Sequence, residues 1–227
     1  MFVSLPTRQR TSPRWATPAL AAVLVLSFLW GTAQPQASLL RDWGALSGGL
    51  GDLQAWRNGL RDGSVLRLFT ATFLHADWAH LLGNLVFLVV FGLPAERAMG
   101  PWRFLALFLL GGAVSNLAAG LYIGAPDRVI IGASGAVSAV IGAYLALFPG
   151  AKLGVVLPLG LFLEFVKAPA FLLIGAWAAL QVLFAYIGPA FGAVAWSAHI
   201  AGFVFGVAFA LFVRRAIARR LRRQKGY

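Results

Sequence analysis

The sequence predicts an all-α, polytopic membrane protein of six transmembrane helices, and three observations carry that prediction. Of its 227 residues, 60% are apolar and only 11% are charged, more apolar surface than a soluble domain of this size has interior to hide. The apolar residues fall into six runs, each near the ~20 residues a helix needs to cross a bilayer core of roughly 30 Å. The charges, net +12, gather at the two ends and in short turns between the runs. That distribution describes membrane topology, not a nucleic-acid groove, so nucleic acid is not an expected partner.

The runs are 16–34, 79–98, 102–123, 132–148, 169–188 and 196–213. The first follows Arg8, Arg10 and Arg14 and superficially resembles a signal peptide. The Ala33/Ala37 region makes a poor cleavage site, so the run is read as a retained span. Lys and Arg favour the cytoplasmic side of a membrane. Both flanks are basic, the second through Arg214, Arg215, Arg219, Arg220, Arg222, Arg223 and Lys225. Both ends are therefore expected in the cytoplasm, which requires an even number of spans. The inner turns then carry Arg97, Arg103, Lys152 and Lys167, while the outer turn after the third span holds only Asp127 and Arg128.

Residues 151–168 are apolar but interrupted by Pro158, Gly160, Glu164 and Lys167. A crossing there would make seven spans and put the basic tail outside, so the stretch is read as an interfacial loop on the cytoplasmic side. The long connection 35–78 places Leu39, Leu40, Trp43, Leu46, Leu50, Leu53, Trp56 and Leu60 at spacings close to one helix face. Short amphipathic helices lying in the outer interface are expected. The domain reading is a basic cytoplasmic tip at 1–15, one membrane domain at 16–213 and a basic cytoplasmic tail at 214–227. The basic tail is compatible with anionic lipid, but it already serves as a topology signal.

Polar residues inside a membrane are costly and are functional candidates for that reason. His80 and Asn84 stand one helical turn apart near the start of the second span. Gly132-Ala133-Ser134-Gly135 opens the fourth, and Trp196-Ser197-Ala198-His199 opens the sixth. All three are even-numbered spans, so all three polar groups are expected at one depth on the outer side. Gly135, Ala139, Gly142 and Ala146 make a small-residue stripe on the fourth span, and Gly202, Gly206 and Ala210 make one on the sixth. Such stripes let helix backbones approach closely. Close approach would let Ser134 and His199 share a hydrogen bond as nucleophile and general base. No carboxylate falls at that depth, so the pattern is a dyad. Asn84, His80 and the backbone around Gly132 and Ser134 are the candidate oxyanion donors.

Each signal has a plainer counterpart. A G-x-S-G alone is ordinary helix packing, a lone Asn an interhelical hydrogen bond, and a lone His a packed or hydrated side chain. Metal ligation by His75, His80 and His199 is set aside for want of a carboxylate at that depth, and no cofactor is expected. Without cysteine there is no disulfide, thiol nucleophile or thiolate metal site. Trp15, Trp102 and Trp196 read as aromatic-belt anchors. Only the conjunction of the polar groups points to catalysis.

In this order the residues resemble the rhomboid family of intramembrane serine proteases. The resemblance runs from about Arg67 to Gly206. It rests on Arg67-Leu-Phe-Thr70, Phe73-Leu-His75, His80-x-x-x-Asn84, Gly92-x-x-x-Glu96-x-x-x-Gly100, Gly132-Ala-Ser134-Gly135 and Ala198-His199-Ile-Ala-Gly202-x-x-x-Gly206. It implies a six-helix rhomboid-like bundle with Ser134 as nucleophile, His199 as base, and Asn84 and His80 supporting the oxyanion. Arg67 and Glu96 are structural positions by the same resemblance. The implied substrates are transmembrane segments of other membrane proteins, cut after a small residue, and the implied place is a bacterial inner membrane. Two positions depart from the pattern: Leu66 stands where many rhomboids carry tryptophan, and Ser138 where some carry an aromatic residue that stacks on the base. The charge-poor turn near Gly188 and Gly192 reads as a movable cap over the site. The rival readings are a non-catalytic rhomboid-like binder of membrane clients and a transporter; the second lacks duplicated halves.

Overall fold

A computed structural model describes residues 14–47, 53–123, 128–159, 162–187 and 195–225. Arg8, Arg10, Leu50, Asp127, Gly160, Gly188 and Gly192 therefore lie outside the described residues, and with them the expected cap.

Every one of the six apolar runs is a helix. These are α1 (Ala16–Thr32), α5 (Trp78–Met99), α6 (Pro101–Ile123), α7 (Ser134–Leu147), α8 (Ala170–Ile187) and α9 (Trp196–Lys225). Four of them, α5, α6, α8 and α9, are long and apolar enough to cross a membrane. The other two are shorter: α7, with 14 residues, rises about 21 Å at 1.5 Å per residue. Residues 214–225 of the basic tail continue α9 unbroken.

The outer faces stay apolar, with Leu26 64% and Phe212 87% exposed, and lipid is the solvent that suits such a surface. Inside, α7 is surrounded by α5, α6 and α9. Its residues Gly135 to Tyr144 are all buried, packed with Leu88, Phe91, Phe104, Leu107 and Phe108 of the neighbouring helices. By contrast α8 buries only Ala170, Ile174 and Gln181 among the described residues.

The long connection after α1 is broken rather than continuous. It forms α2 (Gln36–Trp43), β1 (Ala45–Leu46) and α3 (Leu53–Asp62). A helical segment follows, made of a 3-10 turn at Ser64–Leu66, α4 (Arg67–Thr70) and a second 3-10 turn at Ala71–Phe73. Short helices were expected here, with Trp43 and Leu60 still turned outward. Several contacts pin this region to the bundle. The Asn116 side-chain amide of α6 donates to the Leu68 carbonyl at 2.8 Å, and β1 pairs antiparallel with β2 (Val129–Ile130) just before α7.

The segment 151–168, expected as a loop, is a hairpin: β3 (Lys152–Leu159) pairs antiparallel with β4 (Phe162–Pro169), with Lys152 opposite Pro169 and Leu157 opposite Glu164. The β-branched Val155, Val156 and Val166 suit strands, while Gly154 and Pro158 disfavour a helix. The Ala170 N–H bonds the Ala151 carbonyl at 2.8 Å, closing the hairpin base where α8 starts.

Glu96 is a structural carboxyl. Its two oxygens accept from the N–H groups of Ala16 and Thr17, both at 2.8 Å, and from the Thr17 hydroxyl at 2.7 Å. A side chain of α5 thereby caps the start of α1, whose first N–H groups have no acceptor within their own helix.

Candidate active site

The chain enters α7 through a tight bend. Gly132 has φ +115°, a conformation that residues bearing a Cβ rarely adopt. A Cβ there would also sit 2.7 Å from His80 Nε2. The Gly132 N–H donates to the Ala71 carbonyl at 2.9 Å, fixing the bend against the helical segment before α5. Ser134 is then the first residue of α7. The Val137 N–H bonds the Ala133 carbonyl at 2.8 Å, so the N–H groups of residues 134 to 136 precede the first intrahelical bond. They are ready donors for an anion. Ser134 is only half-buried while the residues after it are buried, so the hydroxyl sits where an otherwise enclosed helix becomes accessible.

His199 arrives from the first turn of α9. Its Nε2 lies 2.8 Å from Ser134 Oγ, the nucleophile–base contact expected from the sequence. The small-residue stripes make this approach possible. A Cβ on Gly202 would strike the Gly135 carbonyl oxygen, one on Gly206 the Ala139 carbonyl oxygen, and one on Gly142 the Phe203 backbone. Ser115 of α6 fills the remaining space beside Gly135 and Gly202, its hydroxyl donating to the Gly111 carbonyl at 2.6 Å.

His80 is brought to the same place, its ring against Gly132. Asp77 caps α5 by accepting the His80 N–H at 2.8 Å, which sets where that ring leaves the helix. Asn84 is buried, and one hydrogen of its amide goes to the His80 carbonyl at 2.9 Å. A side-chain amide has a second N–H, and that one is not committed to this bond. His75 stacks edge-on to His80 with ring centroids 5.1 Å apart. Burial, then the neighbouring His80, holds its pKa down to about 4 from an ordinary 6.5.

Three features were not read from the sequence. Gln181 of α8, only 7% exposed, has its Oε1 2.6 Å from His199 Nδ1. It is the one amide in an otherwise apolar or aromatic helix, and the rule that polar residues in a membrane are functional candidates would have flagged it. Trp196, expected as a belt anchor, stands at right angles to the His199 ring with centroids 5.8 Å apart and stacks on Phe184. Ser138, where an aromatic over the base was expected, donates to the Ser134 carbonyl at 2.7 Å.

A bundle of buried apolar helices with a serine at the mouth of one and a histidine hydrogen-bonded to it from another defines a class: polytopic membrane proteins with a serine–histidine pair. The rhomboid domain model matches residues 62–216, and the chain belongs to the rhomboid family. Among curated proteins, 88 residues are 39% identical to the putative rhomboid protease YdcA of Bacillus subtilis (strain 168), covering 38% of this chain and 43% of that one. Rhomboid-related protein 1 of Caenorhabditis elegans is 30% identical over 164 residues, 66% of this chain and 40% of its own length. Rhomboid-like protein 11, chloroplastic, of Arabidopsis thaliana is 43% identical over 68 residues, 30% of this chain and 24% of its own. In each case the match spans less than half the length of the relative.

Proposed function

We propose that this protein is an intramembrane serine endopeptidase that hydrolyses peptide bonds in or near transmembrane segments of other membrane proteins. The single observation that carries the reading is the 2.8 Å contact between Ser134 Oγ and His199 Nε2 at the mouth of α7. In the reaction, His199 takes the hydroxyl proton as Ser134 attacks the carbonyl carbon, then returns it to the leaving amine. The oxyanion is held by the N–H groups at the start of α7, with Gly132 shaping the bend, and by Asn84 and His80 from α5. Water then hydrolyses the acyl-enzyme through the same base. A substrate helix must unwind locally, because its carbonyls are otherwise hydrogen-bonded and shielded.

The topology that suits this chemistry has six spans, with the basic flanks at 1–15 and 214–227 both cytoplasmic and α2 and α3 lying in the outer interface of a bacterial inner membrane. Since α7 is shorter than a bilayer core, Ser134 would then lie below the outer surface. Lipid is the medium, and no cofactor takes part.

The test is a serine-directed fluorophosphonate applied to the membrane-reconstituted protein. Labelling is expected in wild type and at background in Ser134→Ala and His199→Ala. Equal labelling of all three, or none in a well-folded wild type, would favour a non-catalytic binder of membrane clients.

A further inference from the structure

Two helices run side by side with three rungs between them. On α8, Trp177, Gln181 and Phe184 follow one face at helical spacing; on α9, Trp196, His199 and Phe203 do the same. The rungs are Trp177 with Phe203, ring centroids 6.1 Å apart, Gln181 with His199, and Phe184 with Trp196 at 4.9 Å. The outer two are aromatic. The middle one is polar, and it is the one that touches the base.

We infer that Gln181 is a positioning residue that fixes the tautomer of His199, so that the base is competent only while α8 is seated on α9. The inference rests on the dyad reading and goes beyond it by assigning the histidine an orienting partner from a third helix. For Nε2 to accept the serine proton it must be bare, so the ring proton must sit on Nδ1. An amide oxygen is an acceptor only. Placed 2.6 Å from Nδ1, it therefore selects the tautomer that catalysis needs. An amide in an apolar helix is costly in lipid without a partner, so the bond ties Gln181, and α8 with it, to the histidine. The position expected to hold an aromatic over the base is Ser138, which bonds its own helix instead. Gln181 from one side and Trp196 from another take over that constraint. Among the described residues, the other titratable group acting on His199 is His80 of α5; Ser134 faces it from α7.

The chain has only three histidines, which makes the tautomer directly observable. Full-length protein labelled with 15N-histidine would be reconstituted in lipid, and His199 assigned with His75→Asn and His80→Asn variants. In wild type at neutral pH, His199 is expected to carry its proton on Nδ1. Gln181→Leu, which keeps the volume and removes both donor and acceptor, is expected to give a tautomer mixture and slow fluorophosphonate labelling about 10-fold or more, with the thermal midpoint close to wild type. Gln181→Glu keeps the acceptor and removes the donor. It is expected to restore the Nδ1–H tautomer and most of the labelling rate, with the acidic limb of the rate profile moved to higher pH.

The proposal is overturned if wild-type His199 is protonated on Nε2. It is also overturned if folded Gln181→Leu keeps both the tautomer and the labelling rate, or if folded Gln181→Glu is as slow as Gln181→Leu. A wild type that never labels but shows the Nδ1–H tautomer, lost in Gln181→Leu, would sink the protease reading and leave the positioning bond standing.

Discussion

The α7–α9 interface and the α8–α9 interface meet at the same histidine but are built differently. Between α7 and α9 the contact is backbone on backbone: Gly142, Gly202 and Gly206 each face a main-chain atom of the other helix with no room for a methyl group. Between α8 and α9 the contact is side chain on side chain, through Trp177 with Phe203, Gln181 with His199 and Phe184 with Trp196. The first arrangement fixes the distance between Ser134 and His199 through the rigidity of packed backbones, which cannot deform continuously. The second is lightly held, with α8 mostly facing outward. Ser134 and His199 thus sit on closely packed backbones, while Gln181 sits on a helix held through side chains alone.

Substitutions that attack the rigid side should cost most. Gly206→Leu drives a large side chain into the Ala139 carbonyl. Helix separation, loss of the hydroxyl–imidazole contact and fluorophosphonate labelling near background are expected, with overpacking costing at least about 1–3 kcal/mol. Labelling at the wild-type rate would show that the α7–α9 backbone contact does not set the distance between Ser134 and His199. Glu96→Ala tests a second fixed point, the cap that α5 supplies to α1. It leaves three donors without their acceptor, at about 1–3 kcal/mol for each that stays buried and unpaired. A clear fall in thermal midpoint is expected, with labelling retained in whatever remains folded.

A smaller effect is expected from acid. The pKa of His75 is about 4 when folded and 6.5 ordinarily, so the unfolded chain binds the extra proton first as pH falls. Its contribution to stability is fully present above pH 6.5 and is lost progressively as pH drops toward 4. The thermal midpoint should fall over that window, and His75→Asn should flatten the fall. An unchanged slope would show that His75 is not protected from protons. The smallest effect belongs to Gly175→Ala on the exposed outer face of α8. It should be tolerated or gain about 0.5–1 kcal/mol from helix propensity, with labelling unchanged. A loss as large as that of Gly206→Leu would show that this face of α8 is packed rather than open.

Much of this was legible from sequence because lipid simplifies the problem. An apolar run in lipid must satisfy its own backbone and becomes a helix; all six runs are helices, and four of them are long enough to cross. Ser134 and His199 were legible because polar residues were rare enough in their spans to stand out, and small-residue stripes showed which helices could close on each other. The hairpin 152–169 was not, since a short apolar run with Gly and Pro has no period that separates strand from loop. Gln181, the one amide of its span, carried the same signal of rarity; what the sequence did not give was its direction. An apolar helix with no polar face gives no sign of which side is inward, so nothing in its periodicity pointed that amide at a histidine 18 residues away. Trp196 had the composition of an interface anchor, and only the packing of α8 on α9 turns it toward the base.

The most direct measurement is cleavage of a single-span membrane protein co-reconstituted with this chain in liposomes, followed by mass spectrometry of the products. Wild type is expected to release a fragment ending at a small residue within or beside the span, and Ser134→Ala and His199→Ala to release none. The same fragment at a comparable rate from Ser134→Ala would contradict the account.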